Sequence, residues 1–144
     1  RVAATGVAIV KCGFFGATGD AALAEALGSA DLGTAKLFAV LMADRVADFG
    51  LVPHLASAGF IGVMLDTAGK ERGSLREIMD ENRLVSFLAA VRAHQLATGL
   101  AGSLRLEDIA PLAALEPDLL GFRRALCADG RTGELDEARV VAVR

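Results

Sequence analysis

Tryptophan and tyrosine are absent from this 144-residue chain, and seven phenylalanines supply every aromatic ring. A core must therefore rest mainly on Ala, Val, Leu and Ile, which suits helices layered on a buried sheet. Cysteine is nearly missing too: Cys12 and Cys127 are too few and too far apart for a cysteine-based zinc motif, and His54 and His94 fall in unrelated segments. The pattern reads as two reduced, buried thiols in a cytosolic protein, with no metal site. Basic charge is not in excess, since 15 Lys and Arg stand against 18 Asp and Glu for a net charge of −3. Without a Lys/Arg cluster the chain lacks the electrostatic footprint that phosphodiester backbones require, so nucleic acid is not an expected partner. A bilayer span needs roughly 20 largely apolar residues, and the best windows are broken by Lys11, Asp44, Arg45, His54, Asp66 and Lys70. No membrane association is expected. The first residue is Arg1, with no charged segment leading into a hydrophobic run, so no secretory signal is visible and a cytoplasmic location is expected.

What is present is apolar material in abundance. At 53% hydrophobic and 23% charged, the chain can fill one packed core and carries no signature of disorder. Short apolar runs alternate with longer segments of helical periodicity, the pattern of a βα repeat. Strands are expected at Val7 to Val10 ending on Lys11, Leu37 to Met42 ending near Asp44, and Ile61 to Leu65 ending on Asp66. Two more run from Leu96 to Leu100, before Ala101-Gly102-Ser103, and from Leu119 to Phe122, before Arg123. Their continuous apolar character is that of strands buried on both faces. Helices are expected over Asp20 to Ser29, Val52 to Ala58, Ser74 to His94, Leu106 to Leu115 and Asp136 to Val143. Ser74 and Glu77 match a capping box, Ser103 or Arg105 leads into an acidic first turn at Glu107 and Asp108, and Gly28, Gly59 and Gly99 lie where helices should end.

The strand-end markers Lys11, Asp44, Asp66, Gly102 and Arg123 are 33, 22, 36 and 21 residues apart, a mean of 28, which is one βα unit. Eight such units make a (β/α)8 barrel of about 250 residues, so five of them take roughly 155. The fold class is thus α/β, with residues 1–144 expected to be the C-terminal five βα units of one TIM-barrel domain.

Barrel chemistry sits at the C-terminal ends of the strands. Lys11 would set an ammonium there, where a lysine can act as a base or form a Schiff base with a carbonyl; otherwise it is a solvated rim lysine. Asp66 followed by Lys70 would pair a carboxylate with an amine able to neutralise phosphate or enolate charge, or would form an ordinary surface ion pair. Gly102, Ser103 and Arg123 occupy the last two strand ends, where phosphate sites recur in barrels; glycine admits backbone N–H groups to the anion and serine adds a donor. Gly13, Gly16 and Gly19 are glycine-rich but do not match a dinucleotide fingerprint.

These residues carry a resemblance. Ile9-Val10-Lys11-Cys12-Gly13-Phe14-Phe15-Gly16, Ala43-Asp44, Ala58-Gly59 with Met64-Leu65-Asp66-Thr67-Ala68-Gly69-Lys70, Leu100-Ala101-Gly102-Ser103, and Leu120-Gly121-Phe122-Arg123 with Ala125 and Cys127 stand in order along the chain. Five ordered blocks are specific where one tripeptide would not be. The chain resembles the (5-formylfuran-3-yl)methyl phosphate synthase family of methanofuran biosynthesis, in methanogens and methylotrophs. The resemblance implies a Schiff-base, aldolase-like lyase on a barrel, condensing two glyceraldehyde 3-phosphate molecules with loss of phosphate and water, and using no metal or cofactor. It implies proton transfer by Lys11 and active-site roles for Asp66 and Lys70; phosphate contacts at Gly102, Ser103 and Arg123, with Asp44 as a further substrate-binding candidate, are expected from their places at the strand ends. The family's Schiff-base lysine lies in an earlier Val-Lys-Asn-Pro-like strand that this sequence lacks, and Arg124 stands where the family usually has glycine. Two alternatives remain: another phosphosugar aldolase or isomerase on the same barrel, and a flavodoxin-like binding module, which would reverse its first strand pair. A small phosphorylated molecule is the expected partner, and a homo-oligomer is compatible with the sequence.

Overall fold

The computed structural model describes residues 5–69, 73–128 and 133–142. Five strands alternate with helices: β1 (Ile9–Phe14), α1 (Asp20–Gly28), β2 (Lys36–Met42), α2 (Val52–Ser57), β3 (Gly62–Asp66), α3 (Leu75–Ile78), α4 (Glu81–Ala93), β4 (Ala97–Ala101), α5 (Leu106–Ala113), β5 (Leu119–Gly121), a 3-10 turn (Arg124–Leu126) and α6 (Glu137–Ala142). The strands form one sheet in the order β1-β2-β3-β4-β5. Every pairing is parallel. The first pair is not reversed, which separates this sheet from the flavodoxin-like order.

Alternation along the strands divides the apolar residues into two clusters. Leu37, Ala39, Leu41, Val63, Leu65 and Leu100 pack with Ala24 of α1, Val52 and Leu55 of α2, Leu84, Phe87, Leu88 and Val91 of α4, and Leu112 of α5. The opposite face carries Phe38, Val40, Met64 and Ala101, with Met42 and Ala97 against them, and no helix residue joins this cluster. Among the described residues the helices with buried residues therefore cover one face of the sheet, while the other is packed by strand side chains. Among the described residues no helix is long and apolar enough to cross a membrane.

Three expectations need correction. β1 continues past Lys11 to Phe14, because Cys12, Gly13 and Phe14 pair with Ala39, Val40 and Leu41 and the Phe14 ring is fully buried. Burial of that ring outweighs the tendency of Cys12-Gly13 to end a strand. The single helix expected from Ser74 to His94 is two: Met79 is extended and buried, and Asp80 starts α4 afresh by accepting the Arg83 N–H at 2.8 Å. Gly99 lies inside β4, not at a helix end. Gln95 follows α4 with φ of +58° and takes the left-handed turn that glycine would ordinarily supply.

Candidate active site

A cavity of about 580 Å³ opens at the C-terminal ends of the strands, on the face without helices. Lys11, Asp66, Gly102, Ser103, Arg123 and Arg124 line it, over an apolar base that includes Val40 and Met64. Parallel pairing brings these residues together: Lys11 is level with Phe38, and Val40, Met64 and Gly99 form the next layer up on the same face. Lys11 is therefore the third residue of β1 and not its terminus. Its side chain spans one layer, and Nζ donates to Met64 Sδ at 3.4 Å. A thioether is a weak acceptor, so this contact directs the amine without neutralising it. Room for Met64 comes from glycine: a Cβ on Gly99 would lie 2.5 Å from Met64 Cβ, and one on Gly121 would lie 3.5 Å from Met64 Cε.

Asp66 closes β3 with its side chain half-buried. Its Oδ1 accepts the Thr67 N–H at 2.7 Å, and its carbonyl accepts the Ala43 N–H at 2.7 Å, tying the ends of β2 and β3 together. Thr67 is buried, with Oγ1 3.4 Å from Ser103 Oγ. Gly102 has φ of +117°, and a Cβ there would lie 2.7 Å from Thr67 Cγ2 and 2.9 Å from Thr67 N. The β3 and β4 loops approach this closely because that position carries no side chain. Lys70 lies outside the described residues.

Asp44 has a different neighbourhood from the one expected for a substrate contact. Its side chain is 2% exposed and is absent from the cavity lining. Oδ1 accepts the Ala68 N–H at 2.8 Å and Oδ2 the Gly69 N–H at 3.0 Å, so both oxygens serve the loop after Asp66. Burial works to raise the Asp44 pKa, but the Ala68, Gly69 and Asp44 amides and the Arg45 charge outweigh it and hold the carboxyl below the usual range. Sequence reasoning passed over Arg124 and Met64 as site residues. A methionine in an apolar strand reads as core, and an arginine beyond a strand end reads as surface; their place in the lining depends on strand register and on the turn at Arg124–Leu126.

The model of the 4-HFC-P synthase family matches residues 1–144. The chain belongs to that family. Proteins named (5-formylfuran-3-yl)methyl phosphate synthase are similar to it: one from Methanosarcina barkeri is 36% identical over 91 residues, covering 62% of this chain and 39% of that protein. Another, from Methanothermobacter thermautotrophicus, is 40% identical over 80 residues, covering 55% and 34%. A protein of Methylorubrum extorquens, whose name assigns it the same activity provisionally, is 49% identical over 141 residues, 96% of this chain and 58% of its own length. The chain thus spans little more than half of that relative and less of the other two. Membership of a synthase family agrees with the enzyme reading.

Proposed function

We propose that this chain forms the last five βα units of a (β/α)8-barrel lyase that condenses two glyceraldehyde 3-phosphate molecules to (5-formylfuran-3-yl)methyl phosphate, with loss of phosphate and water, in methanofuran biosynthesis. The observation that carries this reading is the lining of one cavity by an amine, a carboxylate and two guanidiniums at the strand ends, Lys11, Asp66, Arg123 and Arg124, in a member of the synthase family. Consecutive parallel strands and a helix-free face packed by strand residues alone support the barrel, whose lumen that face would become.

In this reading an amine removes a proton beside a carbonyl and returns protons in the dehydrations, and Lys11 is assigned that work. Met64 Sδ, a weak acceptor, orients the Lys11 amine without fixing its charge as an ion pair would. Asp66 and Lys70 orient substrate and offset developing charge. Gly102, Ser103 and Arg123 take a phosphate, with backbone approach eased by Gly102. Asp44 serves them indirectly, through the loop it holds. A Schiff base to a lysine on an earlier strand completes the scheme, with a small phosphorylated substrate and no protein-bound cofactor.

The test is a product assay for the furan aldehyde with the full-length enzyme and its variants. Lys11→Ala should lower turnover by about 10² to 10⁴, the usual cost of losing a general acid or base, with unchanged circular dichroism. Lys11→Arg should not restore it, because arginine stays protonated at any working pH. Asp66→Asn and Lys70→Ala should lie between. Turnover of Lys11→Ala within about threefold of the parent, far short of an acid–base effect, would sink the assignment, and simple aldol products would favour a different phosphosugar enzyme.

A further inference from the structure

Basic side chains gather around two adjoining cavities in a chain whose net charge is −3. Among the described residues the first has Lys11, Arg123 and Arg124 in its lining, with Asp66 against them. The second, about 400 Å³, has Arg105, Arg124 and Arg139 against Glu107. Arg124 belongs to both linings. Two of the arginines of the second cavity are oriented by other groups. Arg105 Nη2 lies 3.1 Å from Glu77 Oε1, and its Nη1 lies 3.9 Å from Glu107 Oε1. Arg139 lies 3.4 Å from Asp136 and donates from Nη1 to the Cys127 carbonyl at 2.7 Å. Arg124, in contrast, makes no side-chain hydrogen bond or ion pair among the described residues, although its backbone is set by the 3-10 turn that it opens. An unpaired guanidinium shared by two cavities is a fork-shaped donor with its recognition geometry unused, and that geometry matches phosphate.

We infer that the second cavity is a second phosphate subsite, joined to the first through Arg124, so that the site holds two phosphate groups at once. The inference rests on the proposed condensation of two triose phosphates, and deepens it. Two dianions brought within reach of carbon–carbon bond formation repel each other, and that repulsion must be offset by cations on both. Arg124, common to both linings, contributes an uncompensated charge to that offset, and Arg105 and Arg139, each also ion-paired, add guanidinium donors to the second lining. The first phosphate lies against Gly102, Ser103 and Arg123, the second against Arg105 and Arg139, and Arg124 lies between them.

Crystals of the full-length enzyme soaked in inorganic phosphate, together with phosphate inhibition of turnover, test this with Arg105→Gln, Arg123→Gln and Arg124→Gln, each checked by circular dichroism. Two anions are expected per chain, one in each cavity. Arg105→Gln should empty the second and leave the first filled, Arg123→Gln should do the reverse, and Arg124→Gln should weaken both and raise the inhibition constant at least tenfold. Phosphate confined to the first cavity would overturn the inference while leaving the proposed function standing. A second anion that survives Arg105→Gln, or that fills only at crystal concentration with inhibition unchanged by that variant, would overturn it as well. Phosphate in the second cavity but not the first would overturn the inference that both are held at once and count against the proposed function as well, and phosphate in neither would remove both.

Discussion

Asp44 Oδ1 accepts the Ala68 N–H at 2.8 Å across 24 residues of sequence. With the matching bond from Gly69, it ties the loop after β2 to the loop that presents Asp66. Asparagine keeps one acceptor and turns the other into a donor, so Asp44→Asn should destabilise the fold by about 1.5–3 kcal/mol, the scale of one hydrogen bond to a charged group. The native pKa is below the ordinary carboxylate value, which fixes the sign of the pH dependence. The contribution is complete above about pH 4, the unfolded-state value, and fades as pH falls through the lower native one. Urea unfolding should show a constant gap between parent and variant from about pH 5 to 8 and a narrowing gap below about pH 4; a gap still undiminished well below the native value would refute the linkage.

Gly102→Ala should be costly for two reasons that act together. Its φ of +117° is a region that non-glycine residues rarely enter, and the new methyl would meet Thr67 at 2.7 to 2.9 Å. Strain of about 1–3 kcal/mol adds to an overpacking cost of similar size. Thermal unfolding should register a loss of at least about 2 kcal/mol from these sources, and a loss below about 0.5 kcal/mol, the level of an ordinary surface change, would mean that the two loops separate freely.

Thr98 and Asp118 latch β4 to β5 at the end remote from the cavity. Asp118 Oδ2 accepts from Thr98 N and from Thr98 Oγ1, each at 2.7 Å, and the Asp118 N–H donates back to Thr98 Oγ1 at 3.0 Å. Those Thr98 donors hold the Asp118 carboxyl below its usual range. Thr98→Val keeps the shape and removes the hydroxyl, and should cost about 1.5–3 kcal/mol, the scale of a hydrogen bond to a charged group, while leaving turnover of the full-length enzyme unchanged. A change in turnover without loss of stability would show that this end of the sheet communicates with the chemistry.

Burial pushes the Cys12 thiol up from its ordinary value, so the reactive thiolate is scarce at neutral pH. Iodoacetamide should label Cys12 of native protein slowly at pH 7 and faster only above about pH 8.5, near the unperturbed thiol value. Labelling at pH 7 as fast as in denaturant would contradict the packing of this residue.

The strands could be located from sequence because each is a continuous apolar run bounded by turn residues, and Gly62–Asp66 and Leu119–Gly121 fall inside the segments expected. The break at Met79 could not, since its only sign is Asp80, a residue that also suits the exposed face of one long helix. Lys11, Asp66, Gly102, Ser103 and Arg123 were legible as strand-associated polar residues, and the sheet brings them to one cavity. Asp44 was legible as polar but not as a loop anchor, because the amides that it engages lie 24 and 25 residues away. Arg124 was invisible as a site residue for a related reason: a two-cavity position is a property of the turn and not of any local pattern.

β1 has one hydrogen-bonded neighbour among the described strands, and Lys11 rides on it. Mechanically, such a strand is a beam clamped along a single side. The amine's position then depends on whatever lies along the unclamped flank, and a small tilt there is carried undiminished to Nζ. A misplacement of about 1 Å can change a rate by about 10². With Lys11 in its proposed acid–base role, substitutions or contacts on that flank, none of them touching the cavity, would act directly on turnover.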